Sequence, residues 1–122
     1  KFQMKALGPE HADTDATLHN LAVGHDNLGN YDEALRLYER ALKITMKALG
    51  PEHASTATTL YDMAHEHDKL GNYDEALRLY ERALKIEMKA LGAEHADTAA
   101  TLDDIAHVHD SRGNYDAALR LY

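Results

Sequence analysis

Apolar and polar positions along this chain alternate with the period of a helix. Leu18, Leu21, Ala22, His25 and Leu28 recur at steps of three and four, which places them on one helical face and predicts a helix over about residues 13–28. Ala34, Leu35, Tyr38, Ala41, Leu42 and Leu49 form a second such stripe and predict a helix over about 31–48. The punctuation between the two fits. Gly29 supplies a left-handed stop for the first helix. Asn30 is a good N-cap for the second, and Glu33 three residues later makes a capping-box-like pair with it. Gly50-Pro51 closes the second helix, because proline disfavours helical backbone at the residue before it. No segment alternates with a period of two, so no strand is expected.

The whole pattern then returns. LGPEHADT at 7–14 is echoed by LGPEHAST at 49–56 and LGAEHADT at 91–98. GNYDEALRLY at 29–38 and 71–80 is echoed by GNYDAALRLY at 113–122. Blocks starting at Leu7, Leu49 and Leu91 divide one repeat domain, 1–122, into repeats 7–48, 49–90 and 91–122, the last truncated. Residues 1–6 read as the end of an earlier helix, since KFQMKALG matches KITMKALG at 43–50. In the third copy Asn114 faces Ala117 where Glu33 and Glu75 stand in the others, so its cap should be weaker. Alanines occupy matched places, Ala22, Ala34 and Ala41 in one repeat and Ala64, Ala76 and Ala83 in the next, which lets paired helices approach closely. A lone helical hairpin cannot bury both its faces and stacked copies can. Recent duplication and consensus design would both produce copies this similar.

Composition narrows the function. The chain has 122 residues, no cysteine and a formal charge of −8. That removes disulfides, cysteine-based zinc sites and thiol nucleophiles, and argues against binding a nucleic-acid backbone. No apolar run approaches the ~20 residues of a membrane span, and Lys1-Phe2-Gln3-Met4-Lys5 lacks the apolar core of a signal peptide. The expectation is a soluble, cytoplasmic repeat protein with no nucleic-acid or membrane partner.

The phrase TLxxLAxxHxxxGNYDEALRLYERALKI followed by LGPEH resembles the tetratricopeptide repeat, in the 42-residue form of kinesin light chains and related proteins. Small and large positions match residue by residue at Ala22, Gly29, Tyr31, Ala34, Tyr38 and Ala41, and at Ala64, Gly71, Tyr73, Ala76, Tyr80 and Ala83. The resemblance covers essentially the whole chain. It implies an all-α fold, a right-handed superhelical solenoid of antiparallel helix pairs. The chain departs from the family at His25, His67 and His109, where tyrosine is usual, and at Ala12, Ala54 and Ala96, where proline is usual.

Repeats one and two differ only at positions 13, 15, 16, 19, 20, 21, 23, 24, 27 and 45. All but the first and last of these lie in the body of the first helix. In the family, first helices line a concave groove and second helices form the convex back. The resemblance therefore implies a constant scaffold with a variable inner wall. One reading is a groove tuned to an extended ligand, and another is free drift of exposed positions. The groove-facing phase gives His19, Asn20, Val23, Asp26 and Asn27, then Tyr61, Asp62, His65, Asp68 and Lys69, then Asp103, Asp104, His107, Asp110 and Ser111. Six aspartates against Lys69 favour a basic or neutral peptide segment as partner. The resemblance weakens two other activities. Lys69 alone could grip a peptide carboxylate, as chaperone-tail binders do. Of the backbone-holding asparagines of kinesin light chains only Asn20 is present, with Asp62 and Asp104 in the other two places.

Nine histidines raise the question of metal or catalysis. His11, His53 and His95 share a loop place near the start of each first helix. His25, His67 and His109 share a place on the apolar face, where a half-buried ring would pack between helices. Asp103, His107 and Asp110 share one helix face and form a weak candidate metal set, but a single helix seldom closes a site. HEH at 65–67 is not the HExxH zinc signature, and Ser55 and Ser111 lack a nucleophile context. The aspartates read as solvent-facing, with no raised-pKa acid among them. No cofactor and no catalytic residue is expected. Histidines beside groove aspartates should make binding of a cationic ligand weaker in mild acid. Ends without polar caps point either to a piece of a longer array or to head-to-tail self-association.

Overall fold

The computed structural model describes residues 12–121, with side chains described over 15–114. Within that range lie five helices and no strand: α1 (Ala12–Asn27), α2 (Tyr31–Leu49), α3 (Ala54–Lys69), α4 (Tyr73–Ala90) and α5 (Ala96–Leu121). Residues 1–6, His11 and the side chain of Ala117 lie outside the described residues. Each helix packs mainly on its neighbours in chain order, so hairpins α1–α2 and α3–α4 stack on one another and on α5.

The alanine places carry the packing. Ala22, Ala34, Ala41, Ala64, Ala76 and Ala83 are all fully buried, as are Leu60 and Tyr80. Leu37, Ile44 and Thr45 of α2 are also buried, because α2 lies against both α1 and α3 and needs more than one stripe. Leu49, expected on that stripe, is exposed. Leu21 and Leu28 are 52% and 76% exposed, whereas their counterparts Met63 and Leu70 belong to the core. The difference arises because α2 packs on α3 and no described helix covers the matching face of α1.

The loops are built differently from the expectation. Asn30 and Asn72 make no side-chain cap bond to the helices they precede. Their backbone N–H groups instead close the previous helix, donating to the carbonyls of His25 and His67 at 2.8 Å, while Gly29 and Gly71 donate to Asp26 and Asp68 at 3.0 Å. This is a Schellman turn, which requires the positive φ of 81° that both glycines adopt. Asn30 Nδ2 then donates to His25 Nδ1 at 3.5 Å and Asn72 Nδ2 to His67 Nδ1 at 3.3 Å. A polar pair thus stands where the apolar contact of such turns usually sits. Glu33 and Glu75 bind Arg36 and Arg78 on the outer surface rather than capping. The side chains that do cap are His53, whose Nδ1 accepts from Ser55 N at 3.0 Å, and His95, which accepts from Asp97 N at 3.0 Å. Buried Thr56 and Thr98 donate to the carbonyls of Gly50 and Gly92 at 2.7 and 2.8 Å and lock the same loops.

The third repeat does not turn. α5 runs through Gly113-Asn114 as helix to Leu121, and Gly113 lacks the positive φ of Gly29 and Gly71. A turn fixes backbone at an entropic cost that a following helix must offset by burial, as Ala34, Leu35, Leu37, Tyr38 and Ala41 do in α2. The leucine at the cap, Leu28 or Leu70, is here Arg112. Continuing the helix satisfies the backbone locally instead. His109 is accordingly exposed, where His25 and His67 are half-buried.

Candidate functional site: the inner wall of the first helices

α1, α3 and α5 are tied to one another by side chains from the positions expected on the inner wall. The five groove-phase positions of each helix sort into different environments. Val23, His65 and His107 share one position and are exposed, as are Asn20, Asn27, Asp103 and Asp110. Ser111 and Asp68 are half-buried. The remaining predicted residues are drawn into contacts between successive repeats.

Three such ties join a residue to the one 43 positions later. His19 stacks edge-on against Tyr38 with ring centroids 5.4 Å apart, and its Nδ1 lies 3.8 Å from Asp62. Its Nε2 is 3.1 Å from Thr59 Oγ1. Tyr61 repeats the arrangement one repeat on. It stacks edge-on against Tyr80, again at 5.4 Å, and its hydroxyl donates to Asp104. The third tie joins Lys69 Nζ to Asp26 at 2.5 Å, with the ammonium also 5.3 Å above the Tyr31 ring. The only cation expected on the wall is therefore committed to Asp26, and Asp26, Asp62 and Asp104 do not point freely at a ligand.

The expectation that the wall's acids are solvent-facing with ordinary pKa values is also corrected. Burial, helped by the nearby charge of Asp26, pushes the Asp62 carboxyl up to about 6. Glu66, a residue outside the predicted groove set, is only 2% exposed. Burial, a hydrogen bond with Asp26 and the charges of Asp26 and Asp62 push it up to about 7, against the opposing pull of Lys69. Burial also raises Asp26, but Lys69 and Glu66 outweigh it and hold that carboxyl below its usual value. Chemically, Glu66 holds its proton up into the neutral range beside an Asp26 that is paired with Lys69. The signal in the sequence was positional. Glu66 matches Gly24 and Val108, and Val108 is fully buried, so the phase belongs to the core.

A cavity of about 250 Å³ opens between α3 and α5, lined by Thr58, Tyr61, Asp62, Glu87, Asp97 and Ala100. Glu87 enters it from α4. It too was absent from the predicted set, although it occupies the one differing place in the second helices, Thr45 against Glu87. Burial pushes its carboxyl up, with Thr101 hydrogen bonding acting in the opposite direction. Among the described residues no three His, Asp or Glu side chains are arranged to hold a metal ion, so Asp103, His107 and Asp110 do not form the weak metal set considered from spacing. No described helix is long and apolar enough to cross a membrane.

Comparison with known proteins agrees with this architecture. No curated protein matches the chain. Among solved structures, a Podosopora anserina protein described as a kinesin light chain with nearly identical TPR-like repeats superimposes with a TM-score of 0.80 at 30% identity, and so does a variant of it. The match covers 98% of this chain and 57% of that one. BtubC (BKLC) from P. vanneervenii superimposes with a TM-score of 0.83 at 21% identity, over 97% of this chain and 47% of its own. This chain thus spans about half the length of the structures it resembles. The tetratricopeptide repeat model matches residues 3–44, 25–86 and 67–122. Together with the stacked, alanine-seamed hairpins, that match establishes that the chain belongs to the tetratricopeptide repeat family.

Proposed function

We propose that the chain is a non-catalytic scaffold, acting in the cytoplasm, whose inner wall binds an extended basic or neutral peptide segment of a protein partner. Repeats of this family mediate protein–protein interaction, and the reading for this chain rests on one observation. After Lys69 is spent on Asp26, the wall keeps Asp68, Asp103 and Asp110 without an ion pair among the described residues, next to the open row Val23, His65 and His107. Like-signed charge along a cleft raises the local concentration of an opposite charge. Protonation of Asp62, whose carboxyl is raised to about 6, lowers that potential, so affinity for a basic segment falls between pH 7.5 and 5.5.

A peptide array probed with the native chain and with Asp103→Lys/Asp110→Lys tests the reading. Selected basic peptides should be lost in the variant, and a native chain that selects no peptides ends the proposal. Those exposed aspartates are the right targets, because reversing Asp62 or Asp104 would also break contacts between repeats. A second reading, a structural solenoid that stacks head-to-tail, is favoured by the exposed Leu21 on α1 and Leu28 just after it, whose counterparts Met63 and Leu70 lie in and against the core. Light scattering across a concentration series separates the two, since a strictly monomeric chain excludes stacking in solution.

A further inference from the structure

The cavity between α3, α4 and α5 holds an unusual group. Glu87 is only 4% exposed, yet its Oε1 has no hydrogen-bond partner. Burying a carboxylate oxygen without a partner is costly, more so than burying the neutral hydroxyl that α2 carries at the same place, Thr45. Two more carboxylates line the cavity, Asp62 from α3 and Asp97 from the first turn of α5. The other lining groups are Thr58, Tyr61 and Ala100, which offer methyl groups and a ring face. At about 250 Å³ the space falls below the ~300 Å³ at which pockets for whole small molecules begin. The acids are not arranged to converge on a bare metal ion. An apolar sleeve ending in an orphaned acceptor suits a long aliphatic stem with a cationic head.

We propose that this cavity is a subsite for one lysine or arginine side chain of the bound segment, with the Glu87 carboxylate at its inner end attracting the charged head and Asp97 and Asp62 flanking it. The proposal rests on the peptide-binding reading above and sharpens it, by turning a general preference for basic segments into a requirement for one cation seated between repeats two and three. Ala100 and Tyr61 hold the stem, and the rim carboxylate of Asp97, which is exposed, steers the head inward.

The test is a methyl-resolved NMR titration of the full chain. Its probes are four blocked nonapeptides, Gly-Ser repeats with a single central lysine, arginine, citrulline or Nε-acetyl-lysine. The lysine and arginine peptides should shift the Ala100 and Thr58 methyl signals saturably, and the two uncharged peptides should not. Glu87→Gln, which keeps the shape, should weaken the charged peptides by about tenfold, the usual loss for one hydrogen bond to a charged group. Asp97→Asn, on the exposed rim, should weaken them by less and serves as a second probe should Glu87→Gln disturb folding. Equal shifts by charged and uncharged peptides, or unchanged affinity in both variants, overturn the subsite. If the Val23 methyls respond to the charged peptides while Ala100 stays silent, the subsite falls and the groove reading stands. If no signal moves with any peptide, both fall.

Discussion

The α1–α3 junction and the α3–α5 junction are built on one backbone plan and finished with different side chains. Both place an aromatic ring from the inner wall edge-on against a buried tyrosine, His19 on Tyr38 and Tyr61 on Tyr80. Both tie a residue to an aspartate 43 positions later, His19 to Asp62 and Tyr61 to Asp104. The first junction then balances its charge internally, with Lys69 on Asp26 and Glu66 leaning on the same carboxylate. The second has Val108 where the first has Glu66, Ser111 where it has Lys69, and a buried Glu87 where it has Thr45. Repetition of the fold therefore does not repeat the chemistry. Stacking depends on alanines and tyrosines that do not vary, and this frees the inner positions to give one junction an ion pair and the next a buried carboxylate, Glu87, with no cation beside it among the described residues.

The widest predicted gap lies in the core. Leu60→Ala should cost ~2–5 kcal/mol, because the side chain is fully buried between hairpins and its removal leaves a cavity. The matched change Leu102→Ala, at a residue 48% exposed, should cost under about 1 kcal/mol. Urea unfolding of both variants measures the contrast, and equal losses would show that α5 is as deeply packed as α3.

The pH response is next in size and belongs to the first junction. Asp62, raised to about 6, and Glu66, raised to about 7, hold their protons more tightly folded than unfolded. Their contribution to stability is complete at low pH and disappears as pH rises through 6 and 7. The chain should melt higher at pH 5.5 than at pH 8, by on the order of 5 °C. Glu66→Gln should remove most of that difference, and Glu87→Gln much less of it. Further acidification should reverse the gain, as Asp26 and Glu75, both held below their usual values, begin to protonate. Thermal melts across this range decide the matter.

Lys69→Ala removes the neutralising cation from the same junction. With both partners more than two-thirds shielded the loss should be about 1 kcal/mol at low salt, shrinking as salt is added. Glu33→Ala is the smallest effect. It breaks only an exposed pair on the outer surface, and its denaturation midpoint should not move measurably. A large effect there would mean that the outer face contributes more to the junctions than its exposure allows.

Much of the architecture was written in spacing. The helix stripes, the repeat boundaries and the alanine seam follow from periods of 3.6 and 42 residues, because burial acts on faces and a face is legible as a period. Other features needed partners distant in sequence. Asn30 looked like a cap for the helix ahead of it, and only the folded turn shows it reaching back to His25. The aspartates looked free until stacking brought Tyr61 and Lys69 against them. Glu66 and Glu87 acquired their properties from burial by neighbouring repeats, which no local window contains. Sequence determined which surfaces the helices would bury and how often. Tertiary structure alone decided which charges meet, because that depends on a lateral offset of one residue beyond the repeat, set by how hairpins lean on one another.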